Sequence, residues 1–245
     1  MMKTLLITIL LSLSGMADDI YATFDVVARK EANLNLTTPG IVKRLNVDVG
    51  SRVKKGDVLL EIDNDDLIAG VELARETLKK SKIEEKFARQ TYDRYRQVEN
   101  VIEAELMDQH TLTYQKASAA SSEAKASLRY KETLLEKTRL RAPFSGVIAS
   151  RDIELGDSVG GGTPLFRLIS SSEVKLILNF DEKYLPSIKR GSKVRYRVDG
   201  QKSEAVGVIS KIYPTVDPKS RKATAEVLTG NIAPGLFGEA YIMVK

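Results

Sequence analysis

One histidine, His110, and no cysteine are all that this chain offers to chemistry based on imidazole or thiolate. That excludes a Cys nucleophile, a thiolate metal site, a disulfide and a lipid-bearing cysteine, along with any centre built from several histidines. His110 lies in a polar stretch of helical character, with no carboxylate or nucleophile assigned to it, and a surface role is expected. Asp63, Asn64, Asp65 and Asp66 resemble the start of a calcium loop, but no Gly or distal Glu follows at the needed spacing. They are expected instead to cap a helix and complement its dipole. What remains is cationic: Lys189, Arg190, Lys193, Arg195 and Arg197 lie close together, and on a strand the last three share one face. Such a strip suits lipid phosphates or an acidic protein. Without stacking aromatics beside it, it does not suit nucleic acid. No catalytic residue, metal ligand or cofactor is expected.

The elements that hold these residues are legible in the composition. The 245 residues carry 38 Lys and Arg against 33 Asp and Glu, a net charge of +5, and 42% are hydrophobic. That is the balance of a folded protein of one or two domains. Aromatics make up 6% with no Trp, which fits long helices and thin β layers better than a large globular core. Lys3, the apolar run Leu5 to Leu13, and small residues up to Ala17 have the layout of a secretory signal over residues 1–17. Asp18 and Asp19 end that run well short of the roughly 20 residues a membrane span needs. The mature chain is expected outside the cytoplasm, starting near Asp18.

An internal repeat organises the rest. Residues 40–62 and 146–168 align without a gap at a shift of 106, which matches Gly40 with Gly146, Gly50 with Gly156 and Gly56 with Gly162. Each copy alternates short apolar runs with glycines, the pattern of hairpins. Neither copy can cover its apolar face alone, so two related by a pseudo-twofold are expected to form a flattened sandwich. Between them, residues 65–138 contain no Pro and one Gly, with small and apolar residues at three-four spacing, such as Val71, Ala74, Leu78, Ala117 and Ala124. Helical periodicity with a break near Glu99 to Ala104 predicts two antiparallel arms of about 50 Å, with Ala88 near Ala117. Ser81 and Glu85 are polar intruders in that seam. From Val174 onward, alternating runs punctuated by Asp-Gly, Pro and Gly predict a small antiparallel barrel, with one short helix between Asp181 and Lys189 and an edge strand from Tyr21 to Val27. Residues 173–245 hold 13 basic and 8 acidic side chains, so this part carries the whole excess charge.

In chain order the expected domains are a signal (1–17), a strand joining the barrel (18–36), a first half (37–64), a helical hairpin (65–139), a second half (140–171) and a barrel (172–245). The fold class is mixed α and β, elongated and multidomain. It combines a split lipoyl-like β sandwich, an antiparallel coiled-coil hairpin and a C-terminal β barrel. This arrangement resembles the periplasmic adaptor, or membrane fusion protein, family of tripartite RND efflux pumps. The residues that carry the resemblance are Pro39-Gly40-Ile-Val, Val49-Gly50-Ser-Arg-Val-Lys-Lys-Gly56-Asp-Val-Leu-Leu-Glu-Ile-Asp63 and Leu140-Arg-Ala-Pro-Phe-Ser-Gly-Val-Ile148. In the barrel they are Ile212-Tyr-Pro-Thr-Val-Asp-Pro-Lys-Ser-Arg221 and Pro234-Gly-Leu-Phe-Gly238.

The resemblance implies an inner-membrane RND transporter and a TolC-like outer-membrane channel as partners, a homo-oligomer (a hexameric ring or a trimer of dimers), and a location in the periplasm. In many such adaptors an Arg-Leu-x-x-Leu motif at the hairpin tip, with a Ser further on, engages the channel. The matching positions here are Arg94, Tyr95, Val98 and Glu105, with Ile102 counted beside them; only Arg94 is kept outright, and Val98 is a conservative change. The basic strip would meet the transporter or the membrane surface. Asp63, Asp65, Leu140 and Pro143 would be hinges, with Pro143 ending the returning helix. The membrane-proximal domain of longer relatives is expected to be absent, as is a lipid anchor.

Three other readings compete. An adaptor of an ATP-driven exporter or a type I secretion system is disfavoured by the short hairpin and by the Pro214-Thr-Val-Asp-Pro-Lys-Ser-Arg221 stretch. A lipoyl or biotinyl carrier needs an acceptor lysine where the halves join; the insert occupies that point, and Lys54-Lys55 lies inside a half. A structural envelope protein is the third.

Overall fold

The computed structural model describes residues 19–98, 100, 103–171, 173–230 and 232–244. The expected signal over 1–17 and Ile102 lie outside the described residues. In chain order the strands before the insert are β1 (Ile20–Ala28), β2 (Glu31–Leu34), β3 (Gly40–Leu45), β4 (Arg52–Val53) and β5 (Val58–Ile62), followed by helices α1 (Asp65–Arg96) and α2 (Ala104–Glu136). Then come β6 (Arg139–Arg141), β7 (Gly146–Arg151), β8 (Ser158–Val159) and β9 (Phe166–Ile169). The last strands are β10 (Val174–Asp181), β11 (Lys193–Val198), β12 (Ala205–Asp217), β13 (Lys222–Thr229) and β14 (Phe237–Ile242), with a short 3-10 helix, Glu182–Ser187, between β10 and β11. The chain forms two compact units: one runs up to Glu31 and resumes at Ser170, and the other is Ala32–Ile169.

The unit Ala32–Ile169 is a sandwich of two four-stranded sheets, ordered β2-β9-β7-β4 and β6-β5-β3-β8. The order shows how the repeat works. The short β4 of the first copy pairs with β7 of the second (Val53↔Gly146), and β8 of the second pairs with β3 of the first (Gly40↔Val159). Each copy thus lends a strand to the other's sheet, and neither sheet is complete alone. The core joins Val42, Leu59, Leu60 and Ile62 to Ile148, Leu165, Phe166 and Leu168. Four glycines matched by the repeat, Gly50, Gly56, Gly156 and Gly162, have φ of 84, 94, 89 and 93°, the left-handed region that glycine enters without a Cβ clash. Gly146 is needed for closeness instead, since a Cβ there would lie 2.1 Å from the Ile169 carbonyl oxygen. The repeat also runs further back than the sequence comparison reached. β2 borders one sheet as β6 borders the other, and Leu34 and Leu140, 106 apart, are both buried in the core.

Between β5 and β6 the two helices pack antiparallel through Val71, Ala74 and Leu78 on α1 and Met107, Ser121 and Ala124 on α2. At 1.5 Å per residue each arm is about 48 Å long. Arg75 pairs with Glu132 at 4.0 Å, Tyr92 stacks on Tyr114 at 5.4 Å, and Tyr95 stacks on His110 at 4.0 Å. These pairs set one register, which puts Ala88 level with Ala117. Glu85, the acid intruding in the seam, accepts hydrogen bonds from Ser121 and Ser118 of the facing helix, and these hold its carboxyl below the usual range. It ties the two arms together rather than breaking the seam.

The other unit is a closed six-stranded barrel, ordered β1-β10-β13-β12-β11-β14. Inward positions alternate along each strand, with Phe24, Leu176, Leu178 and Phe180 set against the small Ala22, Ala223, Ala225 and Ala240. Mixing large and small residues fills a narrow barrel. Phe24 meets Tyr196 edge-on at 5.8 Å, and Gly238 leaves room for it, since a Cβ there would fall 2.7 Å from Phe24 Cζ and 2.2 Å from the Arg197 carbonyl oxygen. Two expectations need correction. The N-terminal strand is not an edge: β1 pairs with β10 (Thr23↔Asn179) and with β14 (Ile20↔Ile242), removing the two edges that would otherwise lie open. The stretch 18–36 is also not one barrel strand, because β2 within it belongs to the sandwich.

Candidate functional site

Three places carry the residues singled out by type and spacing: the far end of the hairpin, its root, and the barrel wall. At the far end, Arg94 is exposed and its Nη2 donates to Thr91 Oγ1 at 3.3 Å. Val98 is exposed just past α1, where its N–H donates to the Tyr95 carbonyl at 3.1 Å. Glu105 is exposed in the first turn of α2, at the positive end of its dipole. Tyr95 departs from the expectation of an outward contact, since its ring stacks on His110 with planes 27° apart. His110 departs too. It is half-buried, and its Nε2 is buried with no hydrogen-bond partner among the described residues. Two aromatic side chains facing each other across the seam bury more area together than either would in solvent. Tyr92 and Tyr114, one turn closer to the root, repeat the arrangement.

At the root, the sequence reading missed the central residue. Glu61 ends the apolar run of β5 and is 3% exposed. Arg44 Nη2 donates to its Oε2, Arg139 Nε donates to its Oε1 at 3.1 Å, and Asn64 Nδ2 donates to Oε1 at 2.6 Å. Burial pushes the carboxyl up, but the hydrogen bonds from Asn64, Arg44 and Arg139 outweigh it and hold the group below the usual carboxylate range. Asn64 also donates to Thr138 Oγ1 at 2.9 Å, and that hydroxyl donates to the Leu135 carbonyl at 2.6 Å. One carboxylate therefore joins β3, β5, the start of α1 and the end of α2. A charge inside an apolar run, with arginines in the two strands that flank it, was the available signal.

Asn64 is the residue that precedes α1, yet it makes no side-chain cap. This corrects the capping role, because the amide is committed to Glu61 and Thr138. Asp65 and Asp66 do lie in the first turn, where they complement the dipole. Asp63 and Asp65 both accept from Lys43 Nζ, Asp63 at 3.3 Å, and the Lys43 bond is foremost in lowering the Asp63 carboxyl. Leu140 is buried on β6 opposite Leu60. Pro143 does not end the returning helix. α2 stops at Glu136, and β6 intervenes before the proline. Glu136 is held by Arg141, whose Nη1 also donates to the Gly56 carbonyl at 2.9 Å. Among the described residues no cluster of three His, Cys, Asp or Glu is placed to hold a metal ion.

On the barrel the five expected cations separate. Arg195 and Arg197 lie on the wall and are engaged there. Arg195 Nη2 donates to Asp19 Oδ2 at 2.9 Å, its Nε is 3.6 Å from Glu204 Oε2, and it lies over the Tyr241 ring; Arg197 Nη2 is 3.7 Å from Glu239 Oε2. Lys189, Arg190 and Lys193 are exposed around a recess that also includes Pro186, Met243 and Val244. Among the described residues no helix is long and apolar enough to cross a membrane.

This architecture matches known proteins. Residues 30–170 match the family model described as the CzcB-like, barrel-sandwich hybrid domain. The cobalt-zinc-cadmium resistance protein CzcB of Cupriavidus metallidurans is 28% identical over 219 residues, which is 85% of this chain but 41% of that protein. Among solved structures, MacA from Actinobacillus actinomycetemcomitans superposes with a TM-score of 0.71 at 18% identity, over 94% of this chain and 79% of that one. The membrane fusion protein Spr0693 from Streptococcus pneumoniae R6 gives 0.70 at 14% identity, over 92% and 99%. The two structural likenesses speak to the fold, and the family model covers more than half of the residues. The chain belongs to the CzcB-like barrel-sandwich hybrid domain family.

Proposed function

We propose that this protein is a non-catalytic periplasmic adaptor that links an inner-membrane RND transporter to a TolC-like outer-membrane channel. In this reading several copies stand side by side around a conduit through which small toxic compounds leave the cell. Closed cyclic symmetry is how identical subunits enclose an interior. The observation that carries the reading is the hairpin itself: a sandwich is interrupted between β5 and β6, and two arms of about 48 Å project from the break with their ends tied into its strands. A spacer of that length has a purpose only if something is met at its far end. Arg94, Val98, Ile102 and Glu105 form the channel-facing end in this proposal, while Tyr95 sets its shape from behind. Divalent metal ions are the first cargo to try, given the name of the relative CzcB.

The root bears on how force would travel. Asp63, Asp65 and Leu140 were expected to flex, yet two are bonded to Lys43 and the third is in the core. We read the root as a stiff joint that transmits motion of the sandwich to the tip. The test is deletion of the gene. Sensitivity to cobalt, zinc, cadmium or drugs should rise, and be restored by the wild-type gene but not by one carrying Arg94→Glu with Val98→Asp. Unchanged sensitivity to every such compound, together with loss of an exported protein, would overturn the efflux reading in favour of secretion.

A further inference from the structure

We infer that one end of the barrel is a docking surface for anionic phospholipid headgroups, formed by Lys189, Arg190, Lys193, Lys219, Arg221 and Lys222. Because every neighbouring pair in the barrel is antiparallel, β1, β11 and β13 begin, and β10, β12 and β14 finish, at the same end. Two connections cross it. One is the 3-10 segment from β10 to β11, which closes the barrel with Ile188 buried and Leu185 packed against the core. The other is the β12–β13 turn, where the Arg221 carbonyl accepts from the Glu182 N–H at 3.2 Å and so ties the two connections together. All six cations are exposed, and none makes an ion pair among the described residues. Of the acids of this end, Asp19 pairs with Arg195 and Asp181 with Lys183; Asp217, which accepts from the Lys219 N–H and the Ser220 hydroxyl, and the exposed Glu182 keep their charge, so the six cations stand in excess. The opposite end mixes both signs, with Arg29 paired to Glu173 and Asp199 and Glu204 close by in sequence to Lys202.

Two observations favour a lipid surface over an acidic protein. Four of the six are lysines, compact charges on flexible stems that suit a diffuse negative field better than a shaped carboxylate cluster. The half-buried Met243 and Val244 share the recess with Lys189, Arg190 and Lys193, giving apolar contact beside charge, as interfacial binding needs. Arg195 and Arg197, expected to take part, are excluded by their own pairs. The inference rests on the adaptor reading only in needing a bilayer within reach. Its vesicle binding is measured without transporter, channel or cargo, so its failure and that of the adaptor reading are distinguishable.

The experiment is co-sedimentation of the full chain with vesicles of about one-third phosphatidylglycerol in phosphatidylethanolamine, set against phosphatidylcholine vesicles. Each cation near an anionic surface is worth roughly a fivefold gain in partition. Lys189→Gln with Arg190→Gln and Lys193→Gln should therefore lower binding at least tenfold, and Lys219→Gln with Lys222→Gln should lower it independently. Lys82→Gln with Lys86→Gln and Lys125→Gln removes the same charge from the hairpin and should change binding less than twofold. Raising salt until the screening length falls from about 10 Å to about 3 Å should abolish the wild-type preference, whereas millimolar inorganic phosphate should not compete beyond its ionic strength. Equal binding to both vesicle types, or equal losses in the hairpin control and the barrel triple, would overturn the inference. So would a triple variant that binds vesicles normally yet no longer retains an inner-membrane transporter in pull-down, which would assign the surface to a protein.

Discussion

Glu61→Gln is the most informative single change in the sandwich unit. The carboxylate accepts from Asn64 and Arg139 at one oxygen and from Arg44 at the other. An amide can keep its oxygen toward the first two donors, but it then points an NH2 at Arg44. Breaking a buried pair by removing one partner typically costs about 3–5 kcal/mol. That range must be discounted here, because the Arg44 side chain is 63% exposed and can turn to water, while Arg139 at 29% can do so in part. The remaining loss is about 2 kcal/mol, which for a unit of this size lowers Tm by roughly 5–10 °C. The residues that join the helices to the strands lose their fixed geometry with it, so amide exchange at Ile62 and Thr138 should accelerate.

The pH dependence supplies a second test of the same cause. The folded carboxyl lies below its usual value, so the stability it contributes is present above the unfolded pKa of about 4.3 and is lost as pH falls through the folded value. The Tm gap between wild type and Glu61→Gln should be full at neutral pH and close in acid. Thermal melts followed by circular dichroism across that range decide it. No gap at neutral pH, or one of the same size in strong acid, would refute the reasoning that a charged Glu61 organises the root.

Other expectations are simpler to measure. Gly238→Ala forces a Cβ against the Arg197 carbonyl and Phe24, so it should destabilise the barrel by about 1–3 kcal/mol in urea melts, while Gly160→Ala, with nothing near, should be close to neutral. Tyr95→Ala and His110→Ala, combined in a double-mutant cycle, should show a coupling of about 0.5–1.5 kcal/mol if the two rings support each other. Leu59→Ala, fully buried in the sandwich, should cost about 2–5 kcal/mol by the same melts. Arg94→Glu with Val98→Asp should leave the melting curve unchanged, since both side chains are exposed, and act only on complementation.

Period and punctuation made most of the fold legible. Three matched glycines announced the repeat, and helical spacing free of proline announced the hairpin. Side-chain commitments were less legible, because they depend on which strands become neighbours. Glu61 reads as an ordinary charge after an apolar run until β3 and β6 bring Arg44 and Arg139 to its two sides. The exchange of β4 and β8 between copies was invisible because two-residue strands carry almost no periodicity. The barrel cations were grouped by closeness in sequence, but Asp19 and the acids of β14 and the β11–β12 loop separated them by engaging Arg195 and Arg197. The partners Lys219, Arg221 and Lys222 come from a turn 26 or more residues away.

The position of the insert follows from the same exchange. β5 and β6 are adjacent antiparallel strands, so the chain leaves the sandwich at Ile62 and returns at Arg139 side by side. Antiparallel helices pack about 8–10 Å apart, so a helical hairpin of any length presents its two ends close together. An insert of that shape closes its own loop, and the entropy of holding 74 residues (65–138) between neighbouring strands is met within the hairpin rather than charged to the sandwich. Length can then vary by whole turns without disturbing the β core, while the angle of projection is governed where Glu61, Asn64, Thr138 and Lys43 tie helices to strands. Lengthening both arms by the same seven residues near Ala88 and Ala117 should leave Tm of the sandwich within about 2 °C, since added turns bring their own seam contacts. The same insertion in one arm alone shifts the facing seam on its tip side by two turns, unpairing Tyr92 from Tyr114 and Tyr95 from His110, and should lower Tm measurably. If both insertions were equally harmful, the hairpin would not be a self-contained spacer.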